Sequence, residues 1–129
     1  MPPTAHWIGI ALAGAAGVLC RAGVSKLAGS FIGDDFPWGV TIVNVAGSFA
    51  FAAIVATSPL KLFPAGAEPL LLVGFLGGFT TFSSFSFETL RLLQAGQTGV
   101  ALTFFAVNNI GGIAAAWLGL TAFAAHQPH

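Results

Sequence analysis

The hydrophobic positions of the chain fall into four long blocks, separated by short polar stretches that are rich in glycine and proline. Each block holds roughly 18 to 25 residues, the length that an α-helix needs to cross the hydrocarbon core of a bilayer. Glycine and proline end helices, so the polar stretches are predicted loops. We therefore predict an all-α membrane protein, a single transmembrane domain over residues 1–129 whose four helices cover residues 7–24, 38–57, 70–93 and 99–124.

The composition agrees with a membrane location. Of the 129 residues, 56% are hydrophobic and 6% are charged, and the mean hydropathy is +0.89, whereas about a quarter of the residues of an average soluble protein are charged. Four basic and four acidic side chains are too few to form the polar surface of a soluble domain. We expect a multi-pass protein of the cell inner (plasma) membrane, inserted by its first helix, because the residues before that helix lack the basic region of a signal peptide.

The distribution of charge limits both the partners and the topology. The net charge is zero and the basic residues are scattered, which argues against nucleic-acid binding. Arg21, Lys26 and Arg91 fall on the side of the first and third loops, and Lys61 falls on the opposite side. This difference is too small to fix the orientation of the chain, as expected for a protein that inserts in both orientations.

Small residues recur at every fourth position in the first and last helices, at Gly9, Ala13 and Gly17 and at Gly111, Ala115 and Gly119. This spacing lets helix backbones approach closely, so these faces are predicted to pack against other helices. The loop at residues 94–98 is so short that the third and fourth helices should be antiparallel neighbours. The first loop is predicted to be longer, from Lys26 to Pro37, and Cys20 is expected to be a small buried hydrophobic residue.

The third hydrophobic block contains an unusual stretch, Gly74 to Glu88, with the sequence GFLGGFTTFSSFSFE. The adjacent glycines Gly77 and Gly78 disfavour a helix by roughly 1 kcal/mol each relative to alanine. The stretch also carries phenylalanines at 75, 79, 82 and 85, which would form one stripe on a continuous helix, and hydroxyls at 80, 81, 83, 84 and 86. We predict that the third helix is broken between Gly77 and Thr80 and faces a binding site or pathway, because irregular backbone within a membrane must be satisfied by protein or water.

Each of these features has a functional and a purely structural interpretation. The ring edges of these four phenylalanines can face an anion and their ring faces can meet a cation, although such rings more often only pack. The hydroxyls of Ser83 and Ser84 can replace the water around a small anion, or they can bond back to the preceding helical turn. The carbonyl groups that a break frees suit a hard cation such as sodium. The alternative at the break is a flexible kink without an ion.

Five further polar residues lie in or near the predicted helices. Asn44 and Asn108 should face another helix or a cavity, because an amide that faces lipid is unfavourable. Asn109 is more simply explained by a hydrogen bond between helices. Glu88 follows the hydroxyls directly and is a candidate for the mouth of a pathway, and the side chain of Arg21 is expected to extend to the lipid headgroups. No function is assigned to the histidines at positions 6, 126 and 129, which lack the spacing of a metal site.

Three other classes of function fit the residues less well. We do not expect an enzyme, because the chain has no nucleophile with a base and an orienting group. A small four-helix multidrug exporter would require a carboxylate within the membrane to exchange protons for a drug, and the first two predicted helices contain none. A purely structural subunit would leave the hydroxyls without a role.

The central stretch resembles the signature of the Fluc (CrcB-type) fluoride channels, which is close to GxxGGxTTFSTFSxE. Arg21 after a glycine-rich first helix, the segment PWGVTIVNVAGSF at residues 37–49 and the segment LLQAG at residues 92–96 also resemble that family. The resemblance covers essentially the whole chain, and the central motif is highly specific. It implies a fluoride-selective ion channel that exports fluoride passively and so relieves fluoride toxicity in the cytoplasm.

Further properties are implied by the resemblance alone. They include an antiparallel, dual-topology dimer with two fluoride pathways, whose partner is a second copy of the chain or, as in some relatives, a paralogue. A non-conducting subunit of such a mixed channel is the alternative. They also include a central sodium ion bound by backbone carbonyls, carried over here to Gly77 and Thr80. The residues assigned to the fluoride pathway are Asn44, Phe82, Ser83, Ser84, Phe85, Glu88 and Asn108.

The chain departs from the common pattern of that family at three positions. Many relatives have a tyrosine where this chain has Phe104 and a serine where it has Asn108. The missing tyrosine hydroxyl is expected either to change conductance or to leave its role to Asn108. Ser84 stands in place of a threonine, which keeps the hydroxyl and removes a methyl group, so a small effect is expected there.

Overall fold

A computed structural model of the chain describes residues 3–124, and every regular element within this range is helical. The histidines at 126 and 129, to which no function was assigned, lie outside the described residues. The helices are α1 (Pro3–Phe31), α2 (Trp38–Thr57), α3 (residues 67–79), α4 (Phe82–Gln94) and α5 (Thr98–Ala124). A short 3₁₀ turn, Ser58–Leu60, follows α2. Parts of α3 and α5 are π-helical, Leu70–Leu76 and Val107–Gly111.

The prediction of four transmembrane helices is confirmed by length and apolar composition. In the part of the chain that the structure describes, four segments meet both criteria, with α3 and α4 together forming the third. These segments are Pro3–Phe31, Trp38–Leu60, Ala67–Gln94 and Thr98–Ala124. The chain is therefore a multi-pass membrane protein.

The first loop is shorter than predicted. Helix α1 continues through Lys26 to Phe31, so the prediction that the loop begins at Lys26 is wrong. Ala28 is buried, and the Cα of Ser25 lies so close to Gly39 that a Cβ there would approach it to 2.7 Å. Packing against the start of α2 therefore stabilises this end of α1. The helix ends where Gly33 adopts a φ of 104°, a left-handed conformation that favours glycine.

Helices α1 and α3 pack backbone against backbone, through glycines on both. A Cβ on Gly17 would collide with the carbonyl oxygen of Phe75, and one on Gly78 would collide with that of Gly14. The prediction that the small-residue face of α1 packs against another helix is confirmed. The prediction that Gly77 and Gly78 mark the break is wrong, because both residues are helical and Gly78 serves this close contact instead.

Helices α2 and α5 form the second close pair. A Cβ on Gly119 would collide with the carbonyl oxygen of Phe49, and Ala115 is buried beside it. The small-residue face of α5 therefore also packs as predicted. Cys20 is exposed on the single chain, so the prediction of a buried cysteine is wrong.

The third and fourth spans are neighbours where the short loop joins them. A turn at residues 95–97, in which Gly96 has a φ of 75°, reverses the chain between α4 and the first half of α5. Both helices contribute to a hydrophobic core, whose buried members are Phe85, Leu92, Ala101 and Phe104. Their antiparallel arrangement is the one predicted from the short loop. The second half of α5 packs instead against α2, so the fourth span contacts α4 with its first half and α2 with its second half.

Candidate functional site: a helix break held by two asparagines

The third span is interrupted by two extended residues. Thr80 has φ −84° and ψ 159°, Thr81 has φ −151° and ψ 121°, and helix α4 begins at Phe82. The predicted break is therefore present, but it follows the glycine pair instead of coinciding with it. Thr81 is the N-terminal cap of α4, because its hydroxyl oxygen accepts a hydrogen bond from the backbone N–H of Ser84 at 3.2 Å.

Asn44, from the uninterrupted helix α2, satisfies the backbone of the break. Its Oδ1 accepts a hydrogen bond from the N–H of Thr81 at 2.8 Å, and its Nδ2 donates to the carbonyl oxygen of Thr81 at 3.0 Å. One side chain thus satisfies both polar groups of a buried extended residue, as a neighbouring strand would do in a sheet. Without this amide, the N–H of Thr81 would lose its partner within the membrane.

Asn108, from the π-helical part of α5, extends the same network. Its Oδ1 accepts a hydrogen bond from Asn44 Nδ2 at 3.0 Å. Its Nδ2 donates to the carbonyl oxygen of Phe104 at 2.9 Å and to the hydroxyl oxygen of Thr41 at 3.2 Å, and Thr41 in turn donates to the carbonyl oxygen of Pro37. Three helices therefore meet at the break through polar side chains.

The break leaves several backbone carbonyls without their helical partners, among them those of Gly77 and Thr80. In a continuous helix the N–H of Thr81 would bond to the carbonyl oxygen of Gly77, but here it bonds to Asn44. Similarly, the N–H of Ser84, which would bond to Thr80, bonds to the hydroxyl of Thr81. Neutral carbonyl oxygens are ligands that a hard cation such as sodium accepts, so the donor set at Gly77 and Thr80 fits such an ion.

Four of the five hydroxyls in the central stretch have partners within their own chain segment. Thr80 donates to the carbonyl oxygen of Leu76 at 2.9 Å, Ser86 donates to that of Phe82 at 3.0 Å, and Thr81 caps α4. The hydroxyl of Ser83 lies 3.4 Å from that of Thr81. The hydroxyl of Ser84 forms no hydrogen bond to any residue from 3 to 124. Because Ser83 can accept from Thr81 and keep its own hydrogen, the hydroxyls available to a ligand are those of Ser83 and Ser84.

The break also divides the phenylalanines, so the single stripe expected on a continuous helix is not formed. Phe75 and Phe79 stack on α3 with ring centroids 5.8 Å apart. Phe82 and Phe85 form a separate pair on α4, 5.7 Å apart. Phe85 is 7% exposed and also contacts Phe104, whereas Phe82 is 77% exposed. Phe85 is thus a core residue with one face towards the site, and Phe82 projects from the molecule.

An open cavity of about 420 Å³ lies beside the break. Its lining includes four of the residues assigned to the pathway, Asn44, Phe82, Phe85 and Asn108, together with Thr80, Thr81, Ser48 and Asn109. Ser83, Ser84, Glu88 and Gly77 do not line it. Thr41 and the capping role of Thr81 were not predicted from the sequence. Thr41 lies three residues before Asn44 on α2, so the two side chains share a helix face. Thr81 directly precedes the serine-rich half of the third span, and threonine is a common N-terminal cap. The sequence therefore offered a reason to select each of them.

Two polar residues behave differently from the simplest expectation. Asn109 is exposed and its Nδ2 donates to the carbonyl oxygen of Phe105 in its own helix at 2.8 Å, so the predicted hydrogen bond between helices is wrong. Glu88 lies one turn beyond Ser84 on α4 and accepts hydrogen bonds from Arg91 at 2.7 and 2.9 Å. This ion pair lines a separate hollow with Asp34 and Trp38, away from the break.

The sequence of the chain is similar to known proteins over most of its length. Residues 8–120 match the profile of the family described as CrcB-like protein, Camphor Resistance (CrcB). The chain is 42% identical over 115 residues to the fluoride-specific ion channel FluC of Hydrogenovibrio crunogenus, covering 88% of this chain and 86% of the relative. It is 43% identical over 110 residues to the FluC of Thermus thermophilus, covering 85% and 88%. It is 41% identical over 112 residues to the FluC of Magnetococcus marinus, covering 86% and 91%.

Proposed function

The chain belongs to the CrcB family, and on this premise we propose that it is a fluoride-selective ion channel of the cell inner (plasma) membrane. It lets fluoride leave the cell passively and so relieves fluoride toxicity in the cytoplasm. Relatives named fluoride-specific ion channels match it over most of both chains. The structural observation that carries the proposal is the helix break, where the exposed ring of Phe82 and the amides of Asn44 and Asn108 line an open cavity and two available hydroxyls follow on α4. The protein is a channel and not an enzyme.

The chemistry of the break suits a small, strongly hydrated anion. Fluoride loses its water only where hydrogen-bond donors and positive ring edges replace it. Ser83 and Ser84 supply the donors, and Phe82 and Phe85 supply ring edges on the same helix. Asn44 and Asn108 form the polar wall of the cavity. Glu88, which shares a helix face with Ser84, lies at the mouth of the pathway.

The single chain leaves the pathway open on one side. Phe82 is 77% exposed, and the cavity beside it opens to the surface of the chain. We infer that a second copy in the antiparallel orientation closes this side, with membrane lipid around the pair, and that the dimer contains two pathways. The weak asymmetry of basic residues between the loops supports insertion in both orientations. A paralogue is the alternative partner.

A sodium ion at the centre of this dimer would be held by the carbonyl oxygens of Gly77 and Thr80. Both carbonyls lack their helical partners for the reasons given above. When bound, such an ion supplies positive charge that stabilises the freed carbonyls. The chain itself keeps these carbonyls free by directing the N–H groups of Thr81 and Ser84 elsewhere.

Fluoride release from proteoliposomes tests the proposal, with Phe82→Ile as the informative variant. Phe82 and Phe87 both lie on α4 and are 77% and 65% exposed, so Phe87→Ile is a matched control for the loss of an exposed ring. We expect rapid fluoride release, no chloride release, loss of release in Phe82→Ile, and release close to wild type in Phe87→Ile. Release should also fall in a sodium-free medium if the ion is required.

Fluoride release no faster than from empty liposomes would contradict the proposal for the chain alone. Co-expression with a paralogue then separates two explanations, because a non-conducting subunit of a mixed channel regains release and a protein of another function does not. Equal loss in Phe82→Ile and Phe87→Ile would show that Phe82 has no specific place on the pathway.

A further inference from the structure

We propose that Asn108 and Thr41 are positioning residues that fix the orientation of the Asn44 amide, and that Asn44 holds the helix break without donating a hydrogen bond to the anion. The proposal rests on the proposed function and refines it. It leaves the hydroxyls of Ser83 and Ser84 as the donors to fluoride and gives the two asparagines a separate role.

Both N–H groups of the Asn44 amide have partners in the protein. An asparagine side chain has two N–H groups and one oxygen. One N–H bonds to the carbonyl oxygen of Thr81 and the other to Asn108 Oδ1, both at 3.0 Å, and the oxygen accepts from the N–H of Thr81. Asn44 therefore has no N–H left for an anion, although it lines the cavity.

The direction of the hydrogen bonds in the network is set by the carbonyl oxygens of Phe104 and Pro37. The carbonyl oxygens of Phe104 and Pro37 can only accept. Thr41 must therefore donate to Pro37, so its oxygen accepts from Asn108, whose nitrogen also faces Phe104. Asn108 must then present its oxygen to Asn44. The orientation of both amides follows from two backbone carbonyls that lie away from the break.

Asn108 affects the helix break through its hydrogen bond to Asn44. With its nitrogen held by Asn108, the oxygen of Asn44 faces the N–H of Thr81, which keeps that N–H away from Gly77. Asn108 supplies an acceptor for Asn44 and a donor for Thr41 on one side chain. Loss of Asn108 should thus act on the break through Asn44 and not on the anion directly.

The decisive variant is Asn108→Leu, because the two roles of Asn44 predict opposite results. If Asn44 positions the break, fluoride release falls about tenfold and the half-saturating fluoride concentration does not decrease. If Asn44 donates to the anion, Asn108→Leu frees an N–H and lowers that concentration, which would overturn the proposal. Thr103→Val is the matched control, because Thr103 lies on the same helix, bonds only within that helix through its hydroxyl to the carbonyl oxygen of Gly99 at 2.9 Å, and does not line the cavity. Its release should stay within about twofold of wild type.

Variants at Thr41 and a double variant at Asn44 and Asn108 distinguish the positioning role from a general loss of folding. Thr41→Val keeps the shape of the side chain and removes the acceptor for Asn108, so release should fall by a few-fold, and Thr41→Ser should restore it. In the Asn44→Ala background, Asn108→Leu should cause no further loss, because it acts through Asn44. Independent, multiplied losses would overturn the proposal.

Hydrogen exchange separates this proposal from the proposed function. In detergent without fluoride, the peptide that contains Thr81 should exchange faster in Asn108→Leu and Asn44→Ala than in wild type or Thr103→Val. Unchanged exchange in Asn108→Leu would contradict the positioning role even in a protein that conducts fluoride. Absence of fluoride release from the wild type would contradict the channel and leave the exchange result standing.

Discussion

The two halves of the third span differ in composition, because the glycines lie in α3 and the serines in α4, and they are held in place by different interactions. Helix α3 packs its glycines against the backbone of α1, and its position is set by steric contact. Helix α4 begins at a break whose backbone is bonded to a side chain of α2, which is itself oriented from α5. The first half is a rigid anchor and the second carries the polar chemistry.

The difference shows why the break lies where it does. Backbone-to-backbone packing needs glycine and offers no free donors to a ligand. Hydrogen-bonded packing needs polar side chains, which are stable within a membrane only when they find partners. The interruption at Thr80 and Thr81 is the boundary between the two kinds of packing, and the available hydroxyls follow it immediately.

The largest expected effect comes from adding a side chain to the anchor. Gly17→Val would drive a Cβ into the carbonyl oxygen of Phe75, which belongs to the backbone and cannot move aside. Gly23→Val is the matched control on the same helix, because no atom lies within 4 Å of its Cβ position. We expect little folded protein from Gly17→Val by size-exclusion chromatography in detergent, and near-normal yield from Gly23→Val. Equal yields would show that α1 and α3 are not held by close contact.

An intermediate effect is expected from removing a hydroxyl after the break. Ser84→Ala takes away a donor that has no protein partner among residues 3–124, so fluoride release should fall about tenfold while the melting temperature stays unchanged. Ser86→Ala removes a hydroxyl that bonds back to Phe82, and its release should match wild type. Proteoliposome efflux compares the two. Similar rates in both variants would remove the distinction between available and internally bonded hydroxyls.

The smallest effect is expected at the ion pair beyond the polar site. Glu88→Gln leaves Arg91 unpaired, and the positive charge at the mouth should raise fluoride release by about twofold at low ionic strength and not at high. Glu68→Gln is the control, because Glu68 instead accepts a hydrogen bond from Ser58 in another loop. Efflux at two salt concentrations measures the effect. A salt-independent loss of release would place Glu88 in the pathway itself.

Local patterns were sufficient for much of the fold. Hydropathy predicted the four membrane segments, and the four-residue spacing of small residues predicted the close faces of α1 and α5. The predicted end of α1 was too early, because the last turns of this helix are stabilised by contact with α2. A hydropathy pattern along the chain contains no information about that contact. The prediction that the glycine pair marks the break was wrong for the same reason, because Gly78 lies within α3 in close contact with α1.

The sequence by itself determined the class of protein, the number of spans, the presence of a break and the set of candidate residues, because these depend on composition and on neighbours along the chain. The tertiary structure alone decided where the break lies, which hydroxyls are available and what Asn44 bonds to. Those properties depend on hydrogen bonds from Asn44 to Thr81 and from Asn108 to Thr41, which join residues far apart in sequence. An amide has several satisfactory partners within a membrane, and only the packing of the helices selects one.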